Sequence, residues 1–184
     1  FSLNRTSKDE KLGEVFFWAD NSSLFEAAPN FIASFDPNDI RLNLFVDDGV
    51  DRDLIPVKRI IKHKGATDNV GLVNEKLLRS SEMLLIMAEA KAQTDVNEGS
   101  RLLNQLRKER IIGWNATTYA SKEELLKQIE QERRHELCFE GHRWFDLRRW
   151  ELPIVKSETN KTLEVGDFHR LMPIPKSELE ANPV

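Results

Sequence analysis

The feature that most constrains this fold is a change in hydrophobic pattern near residue 77. From there, apolar or small residues occupy positions 77, 81, 84, 85, 88 and 92, which is the spacing of one helix face. This spacing predicts a helix from about Ser80 to Gln93. A second helix, capped by Asn97 and ending near Gly113, follows after so few residues that the two must pack antiparallel, as a tetratricopeptide-like hairpin.

Two more helices and a helical turn are predicted toward the end of the chain. Ser121 and Glu124 form a capping box, in which each side chain can accept a hydrogen bond from an exposed backbone N–H. Gly141 suits the end of this helix, and Pro153 limits the shorter helix that follows. Later prolines disfavour helix for the residues before them. We therefore expect helices over residues 121–139, 142–150 and 176–181, with residues 171–175 extended.

The first seventy or so residues lack helical periodicity over more than about two turns. Turn formers are scattered through them, for example at residues 36–38 and 47–49. We predict loop-rich structure with two short strands, around Arg41 to Val46 and Val57 to His63. A chain of 184 residues is long enough for one domain with a core. The expected architecture is a single, mostly α-helical domain over residues 1–184, loop-rich over 1–76 and helical over 77–184.

The charge balance excludes two classes of partner. With 27 basic and 31 acidic residues, the net charge of −4 offers no attraction for a polyanion, so neither nucleic acid nor an anionic membrane surface is expected to bind. No apolar run approaches the roughly 18 to 20 residues that span a bilayer, and the first residues lack the apolar region of a signal peptide. We expect this chain itself to be soluble and to bind a neutral ligand or a protein surface.

Charged residues share the apolar face of the third predicted helix. At about 100° per residue, one narrow sector contains Leu125, Ile129, Arg133, Glu136 and Glu140. Burying an unpaired charge is costly, so Arg133 is expected to pair with Glu136, Glu140 or a carboxylate of another helix. We predict a structural ion-pair network that fixes the packing of the hairpin against the following helix. Its members are Arg133, Glu136, Glu140, Arg143 and Asp146.

A metal or catalytic site is the competing interpretation, because acidic residues and histidines crowd positions 132 to 146. Helical di-iron sites use two E-x-x-H motifs, whereas this segment has one, formed by Glu132 and His135. The interleaved arginines would repel a divalent cation. The chain also lacks a phosphate-binding Gly-rich loop, a G-x-S-x-G elbow and an H-E-x-x-H motif. We predict no enzyme activity, no metal and no cofactor, although a glycosidase-like carboxylate pair would not be visible in a sequence.

Five sequence blocks resemble those of one known family. The run from residue 132 to 150, ERRHELCFEGHRWFDLRRW, is very similar to the hallmark segment of the SusD/RagB family. Upstream, RSSEMLLIMAEA at 79–90 resembles its R-x-x-E-x-x-L-x-x-A-E-A helix, and LNQLR at 103–107 its L-N-x-x-R. Downstream, LMPIPKSE at 171–178, followed by Asn182-Pro183, is similar to its closing segment. Asp39-Ile40-Arg41 resembles a D-x-R that precedes these blocks.

The resemblance implies both a fold and a role. The fold is mostly α-helical with tetratricopeptide-like hairpins. The role is that of a lipid-anchored, surface-exposed outer-membrane protein that holds a glycan or other nutrient for a SusC-like, TonB-dependent transporter. Family members are normally much longer, with an N-terminal helical scaffold and a lipid-bearing cysteine that we do not find in this chain. The alternative is a tetratricopeptide-like protein-interaction module that binds no glycan.

Sugar-binding sites combine aromatic faces with side chains that hydrogen-bond to hydroxyl groups. The best local match lies in the loop-rich part, where an aromatic cluster runs into polar residues, and a second match lies between the second and third predicted helices. The candidate ligand contacts are Trp18, Asp20, Asn21, Trp114 and Asn115. Three other residues are interpreted as packing residues: Cys138, Trp144 and Trp150.

Overall fold

The computed structural model describes residues 2–3, 6, 11, 13–16, 25–50, 56–65, 71–156, 161–171 and 173–181. The chain divides into two compact units, Phe1–Phe139 and Glu140–Val184. The helices of the described residues are α1 (Gly13–Phe16), α2 (Pro29–Ile32), α3 (Ser80–Ala92), α4 (Val96–Lys108), α5 (Lys122–Glu136), α6 (His142–Arg149) and α7 (Lys176–Ala181). Two 3-10 helices, Ile40–Leu44 and Phe168–Arg170, accompany them.

Short strands complete the described structure. They are β1 (Ser2–Leu3), β2 (Phe45–Val50), β3 (Pro56–Ile60), β4 (Glu75–Lys76), β5 (Ile154–Lys156) and β6 (Lys161–Leu163). They pair antiparallel as β1 with β4, β2 with β3, and β5 with β6. The predicted fold class, mostly α with helical hairpins and few short strands, is confirmed. The assignment of residues 1–184 to one domain stays a prediction.

The hairpin of α3 and α4, with α5 against it, forms the core of the first unit. The side chains buried together are Leu85, Ala88, Ala92, Leu102, Leu103, Leu106, Leu125 and Ile129. Close packing depends on Gly99 in α4, where a Cβ would lie 2.9 Å from Cδ2 of Leu125 and 3.0 Å from the backbone N of Ala92. The glycine therefore lets α4 approach its neighbours, against a helix-propensity cost of about 1 kcal/mol.

The helix starts follow local side-chain chemistry. α4 is capped by Asp95 instead of the predicted Asn97, because the Asp95 carboxylate accepts two backbone N–H groups of the first turn. At α5, the Ser121 hydroxyl accepts the N–H of Glu124 at 3.1 Å, and the Glu124 carboxylate accepts that of Ala120 at 3.0 Å. The prediction that Ser121 and Glu124 cap this helix is confirmed.

The helix ends depend more on distant contacts. α4 ends at Lys108, so the predicted end near Gly113 was wrong. Backbone N–H groups at positions 40 and 112 instead donate across to residues 110 and 38, at 2.8 and 3.1 Å. This pairing holds the segment after α4 against an earlier loop. Such a contact leaves no periodic signal in a sequence.

α5 also ends earlier than predicted, at Glu136 rather than near Phe139. Phe139 and Gly141 adopt φ values of 62° and 83°, which lie in the left-handed region and break the helix. Glu140 therefore does not continue the inner face of α5, as the helical projection had assumed.

The predicted strand at residues 41–46 is wrong in its first half. Ile40–Leu44 is a 3-10 helix, and the strand begins at Phe45. Asp39 stabilises the turn, since its carboxylate accepts the backbone N–H of Arg41 at 2.9 Å. The Arg41 side chain is thereby buried, with 7% exposed. The second strand, Pro56–Ile60, ends before the predicted His63.

A second core in the first unit is aromatic. The rings of Phe31, Phe35 and Phe45 pack edge to face, with centroids 5.2 to 6.1 Å apart. Ile60 and Cys138 are buried beside them. The prediction that Cys138 is a core residue is confirmed.

In the second unit, α6 is followed along the chain by a small hairpin of β5 and β6. Arg149 donates to Asp146 at 2.9 Å, and its guanidinium lies 4.0 Å from the ring centroid of Trp150. The buried Arg170 donates to the backbone carbonyl of Leu147 at 3.0 Å. α7 spans the residues that were predicted for it.

Candidate functional site

The carboxylate of Glu136, at the end of α5, is surrounded by three arginines. Arg41 Nη1 donates to its Oε2 at 2.9 Å, and Arg79 Nη1 donates to its Oε1. Arg110 donates to both oxygens, through Nε and Nη2, at 3.0 Å each. Burial alone would raise the pKa of Glu136. The hydrogen bond from Arg110 and the charge of Arg79 outweigh it, so the pKa lies well below its usual range. Glu136 is thus ionised and saturated with partners.

Glu132 is the second buried carboxylate of α5, with 1% exposed. Arg107 Nε donates to its Oε2 at 2.7 Å, and Arg41 Nη2 lies 2.7 Å from its Oε1. The same Nη2 donates to Asp39 Oδ2 at 2.7 Å. Burial alone would lower the pKa of Arg41. The hydrogen bond to Asp39 and the charges of the nearby carboxylates together outweigh burial and raise the pKa, so Arg41 stays charged.

These contacts join the separate sequence blocks of the chain. Arg41 ends the D-x-R block, Arg79 opens the block of α3, and Arg107 ends L-N-x-x-R. All three converge on Glu132 and Glu136 of the E-R-R-x-E run. The arrangement is a buried clamp between α5 and the segments packed on it, and its charges are engaged with one another. We call these five residues the arginine clamp: the three arginines just named, Glu132 and Glu136.

The members of the predicted ion-pair network are placed in different parts of the chain. Arg133 is buried on α5, whereas Glu140 and Arg143 belong to the second unit. Asp146 also belongs there and pairs with Arg149. That Arg133, Glu140, Arg143 and Asp146 act with Glu136 as one network stays a prediction. The sequence reasoning missed the clamp arginines, although each lies in a block that carries the family resemblance.

A serine and a histidine meet beside the clamp. His135 Nε2 lies 2.9 Å from Ser34 Oγ, while Ser34 Oγ itself donates to the carbonyl of Phe31 at 2.6 Å. Since the hydroxyl proton is used there, Nε2 must carry the proton and donate to Oγ. Burial, only partly offset by the charge of Glu132, lowers the pKa of His135 to about 4. The pair therefore holds a neutral imidazole as donor, the reverse of the role that a general base plays toward a nucleophile.

The E-x-x-H motif has the same structural character. Glu132 is engaged by two arginines and His135 by Ser34, so neither presents a free ligand. Within the described ranges, no group of three His, Cys, Asp or Glu side chains is placed to hold a metal ion.

In the same described part of the chain, no helix combines the length and apolar character needed to cross a membrane.

A pocket of about 280 Å³ opens beside the clamp in the first unit. We call it the Trp114 pocket. The Trp114 indole Nε1 donates to Asn104 Oδ1 at 2.9 Å, and the Arg107 guanidinium lies 5.2 Å from its ring centroid. The other lining residues are Ser34, Phe35, Asp36, Asp39, Arg41, Ile111, Gln128, Gln131, Glu132 and His135. An aromatic side chain of fixed orientation thus stands over a polar surface.

The structure treats the candidate ligand residues differently. Trp114 is half-buried and lines the pocket, whereas Asn115 is exposed and is not among the lining residues. Trp18, Asp20 and Asn21 lie outside the described residues. The sequence indicated Trp114 through its position beside Asn115 between two predicted helices, but not the residues from other segments that complete the pocket.

Comparison with known proteins gives a consistent result. The model of the SusD family matches residues 52–184. The SusD-like protein P38 of Formosa agariphila is 37% identical over 97 residues, which cover 48% of this chain and 18% of that protein.

Solved structures resemble the fold over most of the chain. A SusD-like carbohydrate binding protein from Bacteroides vulgatus is 25% identical, with a TM-score of 0.67 over 86% of this chain and 40% of its own. A SusD superfamily protein from Bacteroides thetaiotaomicron is 28% identical, with a TM-score of 0.70 over 84% of this chain and 38% of its own. A further SusD superfamily protein from Bacteroides vulgatus, 23% identical, has a TM-score of 0.74 over 97% of this chain. The chain therefore spans about two-fifths of the length of these solved relatives.

Proposed function

This chain belongs to the SusD family, whose members are non-catalytic binding proteins, and we propose that it binds a glycan nutrient at the outer-membrane surface. In this role it serves as an accessory to a SusC-like, TonB-dependent transporter, within a lipid-anchored longer protein. The observation that carries the proposal is the similarity to a solved relative described as a SusD-like carbohydrate binding protein.

The chemistry of the described residues supports binding rather than conversion. The carboxylates of the clamp are occupied by arginines, and His135 is a neutral donor held on Ser34. Sugar recognition needs a rigid aromatic face and polar groups for hydroxyls, both of which the Trp114 pocket supplies. The proposed ligand contacts are Trp114 and Asn115 in this region and Trp18, Asp20 and Asn21 in the earlier segment.

Binding is tested by affinity electrophoresis and calorimetry against starch, β-glucan, mannan, galactan, inulin and xylan. We expect at least one polysaccharide to retard the chain and to give a saturable heat. Trp114→Ala should weaken that affinity about tenfold, because stacking and apolar burial contribute on the order of 1.5 kcal/mol. Trp150→Ala in the second unit is the matched control and should leave affinity unchanged. A chain that binds none of these, nor any acidic polysaccharide, would contradict glycan binding.

The transporter role is tested in cells that carry the longer protein. We expect the protein in the outer-membrane fraction, sensitive to protease added to intact cells, and co-purifying with a barrel of the SusC type. Recovery from the cytoplasmic fraction without a barrel partner would contradict this role.

A protein-interaction module is the second candidate, and the surface of α3 favours it. α3 exposes Met83, Ile86 and Met87 at 40, 46 and 52% of their surfaces, beside a groove of about 550 Å³ between α3 and α4. Adjacent exposed apolar side chains are typical of surfaces that another protein covers. Capture of one partner protein that Met83→Ser and Met87→Ser abolish, together with no glycan binding, would favour this candidate.

A further inference from the structure

The Trp114 pocket carries a charge pattern that bears on which sugars it accepts. Its floor is formed by Asp39, Arg41, Arg107 and Glu132, all of which are less than a tenth exposed. These two arginines and two carboxylates pair with one another at 2.7 Å. His135 adds no charge at neutral pH, because burial lowers its pKa to about 4. The floor is therefore neutral overall and its arginines are not available to bind an anion.

Asp36 adds a further negative charge at the rim of the pocket. Its side chain is half-buried, and Oδ1 accepts the backbone N–H of Asn38 at 2.8 Å. Asp36 takes part in none of the ion pairs between described residues. Among the described lining side chains, three carboxylates accompany two guanidinium groups, which gives this part of the lining one net negative charge.

The hydrogen-bonding groups of the rim suit hydroxyls. Gln128 Oε1 accepts from Arg107 at 3.1 Å, which leaves its amide N–H₂ for a ligand acceptor. The Gln131 amide nitrogen is turned to the Ser34 carbonyl at 3.4 Å, which leaves its Oε1 as an acceptor. The second oxygen of Asp36 is a further acceptor. A sugar ring, whose hydroxyls both donate and accept, can use all three.

The volume of the pocket suits a small ligand such as one sugar ring. At about 280 Å³ it lies just below the ~300–1,000 Å³ range of pockets for drug-sized ligands. Trp114 cannot rotate freely, since Asn104 holds its indole N–H and Arg107 covers one face. A pre-set aromatic wall lowers the ordering cost of binding.

We propose that the Trp114 pocket is a specificity site that accepts one neutral sugar ring of a glycan and disfavours uronic acid and sulfated rings, with Asp36 setting the preference. This inference rests on the proposed glycan binding. A ligand carboxylate or sulfate would meet the Asp36 charge, while both arginines of the described lining are already paired with carboxylates. The preference is therefore discrimination by repulsion.

The test uses the hexose polysaccharide that binds best in the panel above, because the pentose units of xylan have no C6. It is compared with the same polysaccharide after oxidation of its C6 hydroxymethyl groups to carboxylates. We expect the oxidised form to bind about tenfold more weakly or worse at low salt, and the gap to narrow as salt screens the charge. Asp36→Asn keeps the acceptor for the Asn38 N–H and should bring the affinity ratio close to one. Its melting temperature and circular dichroism spectrum should match those of the wild type.

Glu123→Gln removes the same charge from an exposed position of α5 that does not line the pocket, so it should leave the ratio unchanged. If the neutral form binds but Asp36→Asn and Trp114→Ala alter neither the affinity nor the affinity ratio, the proposed role of this pocket is refuted, whereas glycan binding by the chain still holds. Tighter binding of acidic polysaccharides overturns the preference. Absence of binding to every polysaccharide, neutral or acidic, removes both this inference and the proposed function.

Discussion

His135 should make the stability of this protein fall between pH 6.5 and 5. The imidazole is 5% exposed, stacks on Phe35 with ring centroids 4.0 Å apart, and donates to Ser34. A second proton would have to be accommodated in this packed site beside the charge of Arg41. The folded protein therefore resists protonation, and burial is the largest cause of its lowered pKa.

The sign and size follow from the two pKa values. His135 titrates near 4 in the folded protein and near 6.5 in the unfolded chain. Between these values the unfolded chain binds a proton that the folded protein does not, so acid favours unfolding. The stabilisation is complete above about pH 6.5 and is lost as the pH falls toward 4. At about 1.4 kcal/mol per unit of pKa the full effect is on the order of 3 kcal/mol, and about 2 kcal/mol of it is gone by pH 5.

The assay is urea unfolding at pH 7.5, 6.5, 5.5 and 5.0 for the wild type and for His135→Phe. The variant keeps the stacking on Phe35 but cannot titrate. It should lose about 1 kcal/mol at pH 7.5 for the missing hydrogen bond. Its free energy of unfolding should then fall by about 2 kcal/mol less than the wild type between pH 7.5 and 5.0.

His169→Phe is the matched control, because the His169 side chain is 62% exposed and lies in the second unit. It should follow the wild-type curve. Glu136 has a lowered pKa and loses its stabilising charge only below its ordinary range near 4.5, outside this pH window. A wild-type curve that is flat down to pH 5, or a His135→Phe curve that falls as steeply as the wild type, would refute the reasoning.

Three further predictions concern the arginine clamp and helix α4. Glu136→Gln should lower the free energy of unfolding by about 3–5 kcal/mol, because three arginines lose their shared carboxylate. The control Glu123→Gln should change it by about 0.5 kcal/mol or less. Similar unfolding curves for the two variants would count against the clamp. Gly99→Ala should destabilise the protein by about 1 kcal/mol despite the better helix propensity of alanine, since the new Cβ would lie 3.0 Å from the backbone of α3. A rise in the melting temperature would contradict this packing. Asp95→Ala should cost about 1 kcal/mol, and Asp95→Asn little, if the side chain caps α4; equal losses would show that the cap is not the cause.

Local elements could be read from the sequence because their causes are local. The helix predicted from Ser80 to Gln93 is Ser80–Ala92, and α7 spans the residues predicted for it. Apolar spacing and the Ser121 cap act within one or two helical turns, so neighbouring residues suffice to predict them. The left-handed conformation at Gly141 has the same origin.

The sequence by itself also determined the family, through blocks that occur in order along the chain, and it indicated that charges on the inner face of α5 must be paired. Only the tertiary structure decided which residues pair with these charges. Arg41 lies 95 positions from Glu136 and was expected in a strand, yet a 3-10 turn carries it to that carboxylate. Ion pairs, pocket walls and the orientation of Trp114 depend on segments far apart in the chain. Their distances are set by packing, which no spacing along the sequence encodes.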